Sequence, residues 1–391
     1  MNDNAVKWLW MQQLFGTGSR KAHEAYRRFG TPQEILSTPL SRVENDSFFS
    51  DEEKARIKSP NFKECERTIA AAENFGAKLL TPESPDYPES LYNIYSMPLL
   101  LYTVGDTSLL KDHYLISMVG TRNPDEYGLA AAKKLSGEIA SLGGIVVSGL
   151  AYGIDAACHR GALEAGGKTI AFVAGGLDLD YPKKNRALRQ LIEKPENGLV
   201  ISEFPLGTPA LPQNFPIRNR LISGVSMATV IVQCKISSGT MLTAGHAISQ
   251  DRDLFAVPGS IMSANSEGCN YLLTQGAEPA VSGESILRRY ESVYGYPVDQ
   301  PNNQQTTLFS EMEEQQPEPK PRKAEETALP AYLNERQVKV MNALANGQLT
   351  VDDLCEQTGI AAGELLTTLT GLELFRLIEM LPGRMVKSRI K

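Results

Sequence analysis

The middle of this chain of 391 residues alternates short apolar segments with helical patterns. The apolar segments are rich in β-branched residues and contain few polar ones, which is typical of strands buried on both faces of a parallel sheet. Strands are predicted over residues 114–120, 144–149, 169–175, 198–204, 228–233 and 254–258. Helices are predicted between several of them, over residues 127–142, 154–165 and 238–250. Repeated strand–helix–strand units predict an α/β fold with a doubly wound parallel sheet, which binds ligands at the carboxyl ends of its strands.

The segments that flank this central block differ from it in composition. Residues 1–112 are predicted to form a small helical N-terminal domain and a connector to a core over 113–295. Residues 296–330 are rich in Gln, Glu and Pro and too poor in apolar side chains to order themselves, so we predict a disordered linker. Residues 331–391 carry three helical patterns and a hairpin pattern, which predict a C-terminal winged-helix domain.

Composition and charge exclude several classes of protein. No apolar run approaches the roughly 20 residues that cross a bilayer, and the start of the chain lacks the features of a signal peptide, so we expect a cytoplasmic protein without a membrane span. The five cysteines are scattered and form no CxxC pair, which argues against a zinc site or other metal centre. The net charge is −7, and residues 113–290 carry 16 basic and 15 acidic groups. A site for a polyanion must therefore be a local pocket.

Glycine and small hydroxyl residues follow four of the predicted strands. Glycine at a strand end lets a ligand approach the backbone closely, and hydroxyl groups that enter a helix can donate hydrogen bonds to phosphate. These loops carry Gly120 and Thr121, Ser148 and Gly149, Gly175 and Gly176, and Ser238, Gly239 and Thr240, the last three preceded by Lys235. Four such loops at one sheet edge predict a cleft that handles phosphate groups. No P-loop pattern occurs and no G-x-G-x-x-G follows the first strand, so neither a standard NAD site nor another cofactor is expected.

A helix is predicted to open at Phe215-Pro216-Ile217-Arg218-Asn219-Arg220. Helix N-termini present unpaired N–H groups and a partial positive charge, so they favour anions. Arginine suits phosphate oxygens, and an aromatic face suits a stacked base. Beside the strand-end loops, this pattern favours a ligand that is both polyanionic and aromatic over a solvated surface helix.

Seven motifs occur in order through this block. They are Gly120-Thr121-Arg122, Ser148-Gly149-x-Ala151-x-Gly153-Ile154-Asp155, Tyr181-Pro182-x-x-Asn185, Phe215-Pro216-x-Arg218-Asn219-Arg220-x-Ile222-x-Gly224, Ser238-Gly239-Thr240-x-x-Thr243-Ala244, Ala256-Val257-Pro258-Gly259 and Gly268-Cys269-Asn270. Together they resemble the DNA-processing protein A family, also called DprA or Smf. The resemblance implies a Rossmann-like core that binds single-stranded DNA, protects incoming DNA and loads the RecA recombinase during natural transformation. It further implies a homodimer, a single-stranded DNA-binding protein as another partner, and no enzymatic activity.

The resemblance also implies roles for individual residues. Arg122 matches an arginine that binds phosphate, Lys183 matches a basic position after Tyr-Pro, and Phe215 matches an aromatic residue that stacks on a base. The full set of candidate DNA-binding residues is Arg122, Lys183, Phe215, Arg218, Asn219, Arg220 and Lys235. Two positions depart from the family pattern: no basic residue lies shortly before Phe215, and the fifth strand ends in Gln233 where many members have Glu. The first departure predicts weaker DNA binding, and the second predicts slightly more positive local charge.

Two further segments could contact DNA. A Gly-x-Gly hairpin over residues 16–18 is similar to a helix-hairpin-helix, which binds the DNA backbone, but its surroundings are slightly acidic, so we favour a packing role. The third helical pattern of the winged helix, over 361–374, has no Lys, Arg, Asn or Gln, the residues that most often read base edges. We therefore favour a protein-contact or structural role for this domain. Its candidate phosphate contacts are Arg384, Lys387, Arg389 and Lys391.

Two other functions fit parts of the pattern. Rossmann-like nucleotide phosphoribohydrolases, which resemble lysine decarboxylase, also use glycine-rich loops and a Gly-Thr helix start, but no catalytic acid lies near Thr240. Asp155 is expected to fix a loop or a helix end, and the neighbours Cys158 and His159 do not face each other on a helix. A protein adaptor that does not bind DNA is the third alternative. Release of free base from nucleoside monophosphates would single out the enzyme.

Overall fold

A computed structural model of the protein describes residues 3–111, 114–294, 333, 335–344, 347–374, 377–381 and 385–388. The chain consists of two compact units, Met1–Asn303 and Gln304–Lys391. The linker predicted over residues 296–330 lies outside the described residues. Within the described ranges, no helix is both long enough and apolar enough to cross a membrane.

The chain begins with six helices, several of which start at residues that favour helix N-termini. Ser19 accepts a hydrogen bond from the Lys21 amide, and Thr31 and Ser50 form capping boxes with the glutamates three residues later. The helices are α1 (Asp3–Phe15), α2 (Arg20–Phe29), α3 (Pro32–Ser37), α4 (Leu40–Asn45), α5 (Asp51–Lys58) and α6 (Lys63–Phe75). The helical N-terminal region predicted from the sequence is confirmed.

Nine strands form one mixed sheet in the first unit. They are β1 (Lys78–Leu80), β2 (Leu101–Gly105), β3 (Leu115–Val119), β4 (Ile145–Ser148), β5 (Thr169–Val173), β6 (Gly198–Ser202), β7 (Ala228–Ile231), β8 (Asp253–Ala256) and β9 (Glu278–Pro279). Their order is β1-β2-β6-β5-β4-β3-β7-β8-β9; the neighbours from β6 to β9 are parallel, whereas β2 is antiparallel to both β1 and β6. The chain winds away from β3 in both directions. The predicted α/β fold with a doubly wound, Rossmann-like sheet is confirmed.

The sheet begins earlier in the sequence than predicted. Strands β1 and β2 both lie within the predicted N-terminal domain, and β2 pairs with β6 from Tyr102 opposite Ser202 to Gly105 opposite Leu199. The predicted boundary at residue 112 therefore falls between two strands of one sheet. Strand β1 has three residues and β9 has two, too few for a period-2 or apolar pattern to register.

Helices cover both faces of this sheet. They are α7 (Glu126–Ser141), α8 (Ile154–Glu164), α9 (Arg186–Ile192), α10 (Asn214–Val225), α11 (Thr240–Ser249), α12 (Glu267–Thr274), α13 (Gly283–Arg288) and α14 (Glu291–Tyr294). The three helices predicted between strands correspond to α7, α8 and α11. Adjacent residues of a strand point to opposite faces, so Leu115 joins one hydrophobic cluster with the N-terminal helices and Ile116 joins a second cluster with α7 and α8.

The second unit has the winged-helix architecture that the sequence predicts. Its elements are α15 (Glu335–Ala343), β10 (Leu349–Thr350), α16 (Val351–Thr358), α17 (Ala362–Leu374), β11 (Ile378–Leu381) and β12 (Met385–Ser388), with the strands in the order β10-β12-β11. Thr350 caps α16 in a capping box with Asp353, as the sequence pattern indicates. Val340, Leu354 and Leu369 lie in the buried core of this unit.

Candidate nucleic-acid interface

A cavity of about 570 Å³ opens at the carboxyl ends of β3 and β7, the neighbouring strands between which the sheet reverses its winding direction. The loop after β3, the loop after β7 and helix α10 form most of its walls. The sequence-predicted residues that line it are Gly120, Thr121, Arg122, Phe215, Arg218, Asn219, Ser238, Gly239 and Thr240. The strand ends therefore meet where a doubly wound sheet places its ligand. We call this cavity the cleft.

Phe215 lies at the start of α10, and two guanidinium groups lie near its ring. The Arg122 Cζ atom lies 4.8 Å from the ring centroid, and the Arg218 Cζ atom lies 5.7 Å from it. The exposed Tyr181 ring meets Phe215 edge-on, with 6.0 Å between centroids. Arg122 is exposed and Phe215 is half-buried. The group offers an aromatic surface bordered by positive charge, which suits a base joined to a phosphate.

Arg218 supports the floor of the cleft. Its side chain is buried, and Nη1 donates hydrogen bonds to the carbonyl oxygens of Gly149, at 2.6 Å, and Phe172, at 2.7 Å. A Cβ atom on Gly149 would lie 1.9 Å from Nη1, so any other residue there would displace the guanidinium. Burial lowers the pKa of Arg218 to about 10, against the opposing effect of the Asp155 carboxylate. The guanidinium therefore stays charged at neutral pH while it joins the ends of β4 and β5.

Two polar side chains hold the loop after β4. Asp155 is buried at the cleft wall, and its carboxylate accepts a hydrogen bond from the Ala151 amide at 3.4 Å. Burial raises the pKa of Asp155, and Arg218 opposes that rise. Asn185 donates to the carbonyl oxygens of Leu150 and Ala151, at 2.9 and 3.1 Å, and so steadies Leu150 at a φ of 56° in the left-handed region. Asp155 thus holds a loop in place, as predicted. Asn185 was noted only as part of a motif, and sequence reasoning did not predict its role in this loop.

Gln233 holds the loop that carries Arg122. Its backbone oxygen accepts from the Thr121 amide at 2.7 Å, its Nε2 atom donates to the Asp125 carboxylate at 2.8 Å, and its Oε1 atom accepts from the Asp125 amide at 3.2 Å. Asp125 in turn caps α7 by accepting from the Gly128 amide, which is the main cause of its lowered pKa. Sequence reasoning noted Gln233 only for its charge; its place directly after a buried strand was the available signal for a loop-anchoring role.

Several predicted site residues do not line the cleft. Arg220 points to another face of α10, where Nη2 donates to both carboxylate oxygens of buried Glu203 at 2.8 and 2.6 Å. The Ser148 hydroxyl is buried and donates to the Met118 carbonyl oxygen. The other five are the exposed Lys183 and Lys235, Gly149, which faces the Arg218 guanidinium, and Gly175 and Gly176, against which the loop over residues 205–210 packs. The side-chain directions of Arg220 and Ser148 correct the expectation that all the strand-end loops and both helix arginines face one pocket.

Comparison with known proteins identifies two family matches in the chain. Residues 78–291 match the family model of DNA recombination-mediator protein A, and residues 318–384 match that of the DprA winged-helix domain. Protein Smf of Synechocystis is 32% identical over 332 residues, which cover 80% of each chain. DNA processing protein DprA of Bacillus subtilis is 39% identical over 221 residues, 56% of this chain and 74% of that one.

Two solved structures agree with these matches. DNA processing protein A of Streptococcus pneumoniae has a TM-score of 0.63 and 29% identity, covering 74% of this chain and 98% of that one. DNA processing protein A of Helicobacter pylori, which binds single-stranded DNA, has a TM-score of 0.50 and 30% identity, covering 55% of this chain and 96% of that one. Because the recombination-mediator model spans more than half of the chain, and the Synechocystis relative extends the match to most of it, this protein belongs to the DNA recombination-mediator protein A family, the DprA or Smf family.

Proposed function

We propose that this protein binds single-stranded DNA in the cleft and serves DNA processing for recombination. The observation that carries the proposal is the half-buried ring of Phe215 in the cleft, with the guanidinium groups of Arg122 and Arg218 within 6 Å of its centroid. A base can stack on such a ring while the adjoining phosphates meet Arg122 and the exposed Lys183 and Lys235 at its margins. The single-stranded DNA binding of the Helicobacter pylori relative supports the same conclusion.

The geometry favours a single strand over a duplex. In a duplex each base is stacked on its neighbours and paired, so no base face is free to meet a ring set inside a cavity. The cleft is large enough for one or two nucleotides, and its wall combines the backbone of the strand-end loops with small hydroxyl residues. We expect contacts of this kind to bind many sequences, because every base has an aromatic face.

The finer parts of the proposal rest on family membership. We propose that the bound strand is incoming DNA during natural transformation, that the protein shields it and loads RecA on it, and that it acts as a cytoplasmic homodimer without enzymatic activity. Loading is tested by the rate of RecA filament formation on DNA coated with a single-stranded DNA-binding protein, and dimerisation by sedimentation. The engagement of Asp155 by a backbone amide supports a binding site over a hydrolase. Release of free base from nucleoside monophosphates would contradict that assignment.

Fluorescence anisotropy with a labelled oligonucleotide of about 16 nucleotides tests the central proposal. We expect clear preference for the single strand over the matching duplex. The Phe215→Ala variant should lose about 1–3 kcal/mol of affinity because one stacked base is lost, with no change in the salt dependence. Arg67→Ala is the control, because Arg67 is exposed on α6 among the N-terminal helices. Equal affinity for single strand and duplex, or wild-type binding by Phe215→Ala, would contradict the proposal.

A further inference from the structure

The Gly-x-Gly hairpin between α1 and α2 packs against the helix that carries Phe215. Gly18 has a φ of 69°, and a Cβ atom built on it would lie 2.5 Å from the Ile217 Cγ2 atom and 3.4 Å from the Arg220 Nη2 atom. The backbone of the hairpin therefore touches α10 with no room for a side chain. This side of the loop, which resembles a DNA-binding hairpin in sequence, is covered by the protein's own core.

A buried ion pair lies beneath this contact. Arg220 and Glu203 leave only 6% and 2% of their side chains exposed. Gln12 of α1 extends the arrangement, because its Nε2 atom donates to the Glu203 carbonyl oxygen and to the Thr17 hydroxyl, both at 3.2 Å. Burial raises the pKa of Glu203, while Arg220 and the Gly18 amide stabilise its charged form. The hairpin, the residue that follows β6 and helix α10 thus meet around one carboxylate.

Helix α10 presents its two functional faces to two different partners. Phe215, Arg218 and Asn219 line the cleft, whereas Ile217 and Arg220 contact the hairpin. An α-helix moves as a nearly rigid rod, so the contact on one face sets the rotation and the axial position of the other. A shift of about 1 Å at a binding group is enough to reduce its function.

We propose that the contact of the hairpin at Gly18 positions the DNA site: it holds α10, through Arg220 and Glu203, at the rotation in which Phe215 accepts a base. This inference rests on the proposed function for its consequence in DNA binding. The Arg220 Nη2 atom donates to both carboxylate oxygens of Glu203, so this buried pair is retained only when α10 keeps its placement beside the end of β6. Because linkage is reciprocal, a strand bound at Phe215 stabilises the docked hairpin as much as docking favours the strand.

Two glycines of the same hairpin provide a matched pair of variants. Gly18→Ala places a methyl group against Ile217, whereas Gly16→Ala has its nearest neighbour, the Ser19 Cβ atom, 4.0 Å away. Both glycines have a positive φ, 69° and 92°, so both variants carry backbone strain, and the φ of Gly16 lies farther outside the left-handed region than that of Gly18. Strain alone would therefore not make Gly18→Ala the weaker binder. We expect Gly18→Ala to weaken single-strand binding at least about fivefold with an unchanged salt slope, and Gly16→Ala to bind nearly as the wild type. Equal losses in the two variants would overturn the proposal.

Hydrogen exchange of the DNA-free, full-length protein tests the positioning separately from the proposed function. We expect the amides of α10 to exchange faster in Gly18→Ala than in Gly16→Ala, with the amides of α12 unchanged in both. Wild-type exchange in α10 of a folded Gly18→Ala variant would overturn the inference whether or not the protein binds DNA. If Gly18→Ala does not fold, Glu203→Gln is measured instead, because it removes the charge of the ion pair and keeps the shape of the side chain.

Protection by DNA gives the reciprocal measurement. Saturation with a thymidine oligonucleotide should slow exchange of the amides over residues 16–19 in the wild type, and it should not do so in Phe215→Ala at matched occupancy. A salt slope that falls in Gly18→Ala would mean that the hairpin binds phosphate directly, and it would replace positioning by a DNA contact. Failure of the wild type to bind any single strand would reject the proposed function and leave the exchange result for α10 as the test of this inference.

Discussion

Replacement of Arg218 and of Arg122 by methionine separates two ways in which an arginine can serve the cleft. The Nη1 atom of Arg218 makes two hydrogen bonds to buried carbonyl oxygens. Hydrogen bonds to charged groups contribute about 1.5–3 kcal/mol each, so their loss costs about 3–6 kcal/mol of unfolding free energy. Arg218→Met should therefore destabilise the first unit strongly. Affinity should fall as well, because the ends of β4 and β5 lose their shared support.

Replacement of Arg122 should change the salt dependence of DNA binding and not the stability of the fold. Arg122 is exposed, and its guanidinium Cζ atom lies 4.8 Å from the centroid of the Phe215 ring. Loss of an exposed cation–π contact costs about 0.5–1 kcal/mol, so the stability of Arg122→Met should stay close to that of the wild type. Loss of one phosphate contact on a single strand reduces the slope of log affinity against log salt by about 0.7.

The assay combines urea unfolding with anisotropy titrations between about 50 and 200 mM salt. Arg122→Met should reduce the salt slope and leave the unfolding midpoint unchanged. Arg218→Met should lower the unfolding midpoint and leave the salt slope unchanged. Titrations of Arg218→Met are run at a temperature where circular dichroism shows it folded, so that affinity is measured per folded molecule. If Arg218→Met has wild-type stability and the reduced slope, the assignment of Arg218 to loop support is wrong.

Three further predictions concern other parts of the chain. Gly149→Ala should lower both the unfolding free energy and the single-strand affinity, because its Cβ atom would lie 1.9 Å from the Arg218 Nη1 atom. Normal binding by a stable Gly149→Ala protein would contradict the role of Arg218 as the support of the cleft. Deletion of residues 299–391 should leave single-strand affinity largely intact, since the cleft lies in the first unit; loss of most affinity would make the winged helix a DNA-binding module. Burial lowers the pKa of His159 from 6.5 to about 3. Below pH 6.5 the unfolded chain binds a proton that the folded protein excludes, so unfolding free energy should fall by about 1.4 kcal/mol per pH unit down to about pH 3. Urea unfolding at pH 7 and pH 5 should show this fall in unfolding free energy in the wild type and a smaller fall in His159→Gln. Equal falls in the two proteins would contradict the assignment of the effect to His159.

The sheet was predictable because its parallel strands are buried on both faces. The sequences of such strands are nearly continuous runs of apolar residues, and each predicted run corresponds to one observed strand from β3 to β8. The strands that sequence reasoning missed are β1, β2 and β9. Strands β1 and β2 are joined by antiparallel pairing, and β9 pairs at the other edge over only two residues. The edge strands β1 and β9 are too short for a local apolar or alternating pattern to register.

The place of the cleft was predictable for a topological reason. Glycine-rich ends of neighbouring parallel strands must meet at one edge, and the loops after β3 and β7 do so together with the start of α10. The contents of the wall were less predictable. Tertiary packing decides whether a ligand or another segment of the chain lies against a glycine. A Cβ atom on Gly176 would lie 2.8 Å from the Pro205 carbonyl oxygen, so a segment of the protein itself packs against this glycine.

The two arginines of α10 show where the local pattern misleads. Arg218 and Arg220 are two residues apart, so their side chains leave the helix about 200° apart and cannot share a face. One supports the carbonyl oxygens beneath the cleft, and the other pairs with Glu203 beside the Gly18 hairpin. The pairing of Arg220 could have been predicted from the sequence. Glu203 directly follows the apolar strand Gly198–Ser202, and a carboxylate buried there requires a charged partner. With both arginines committed to the fold, the salt dependence of DNA binding should come from exposed cations such as Arg122, Lys183 and Lys235.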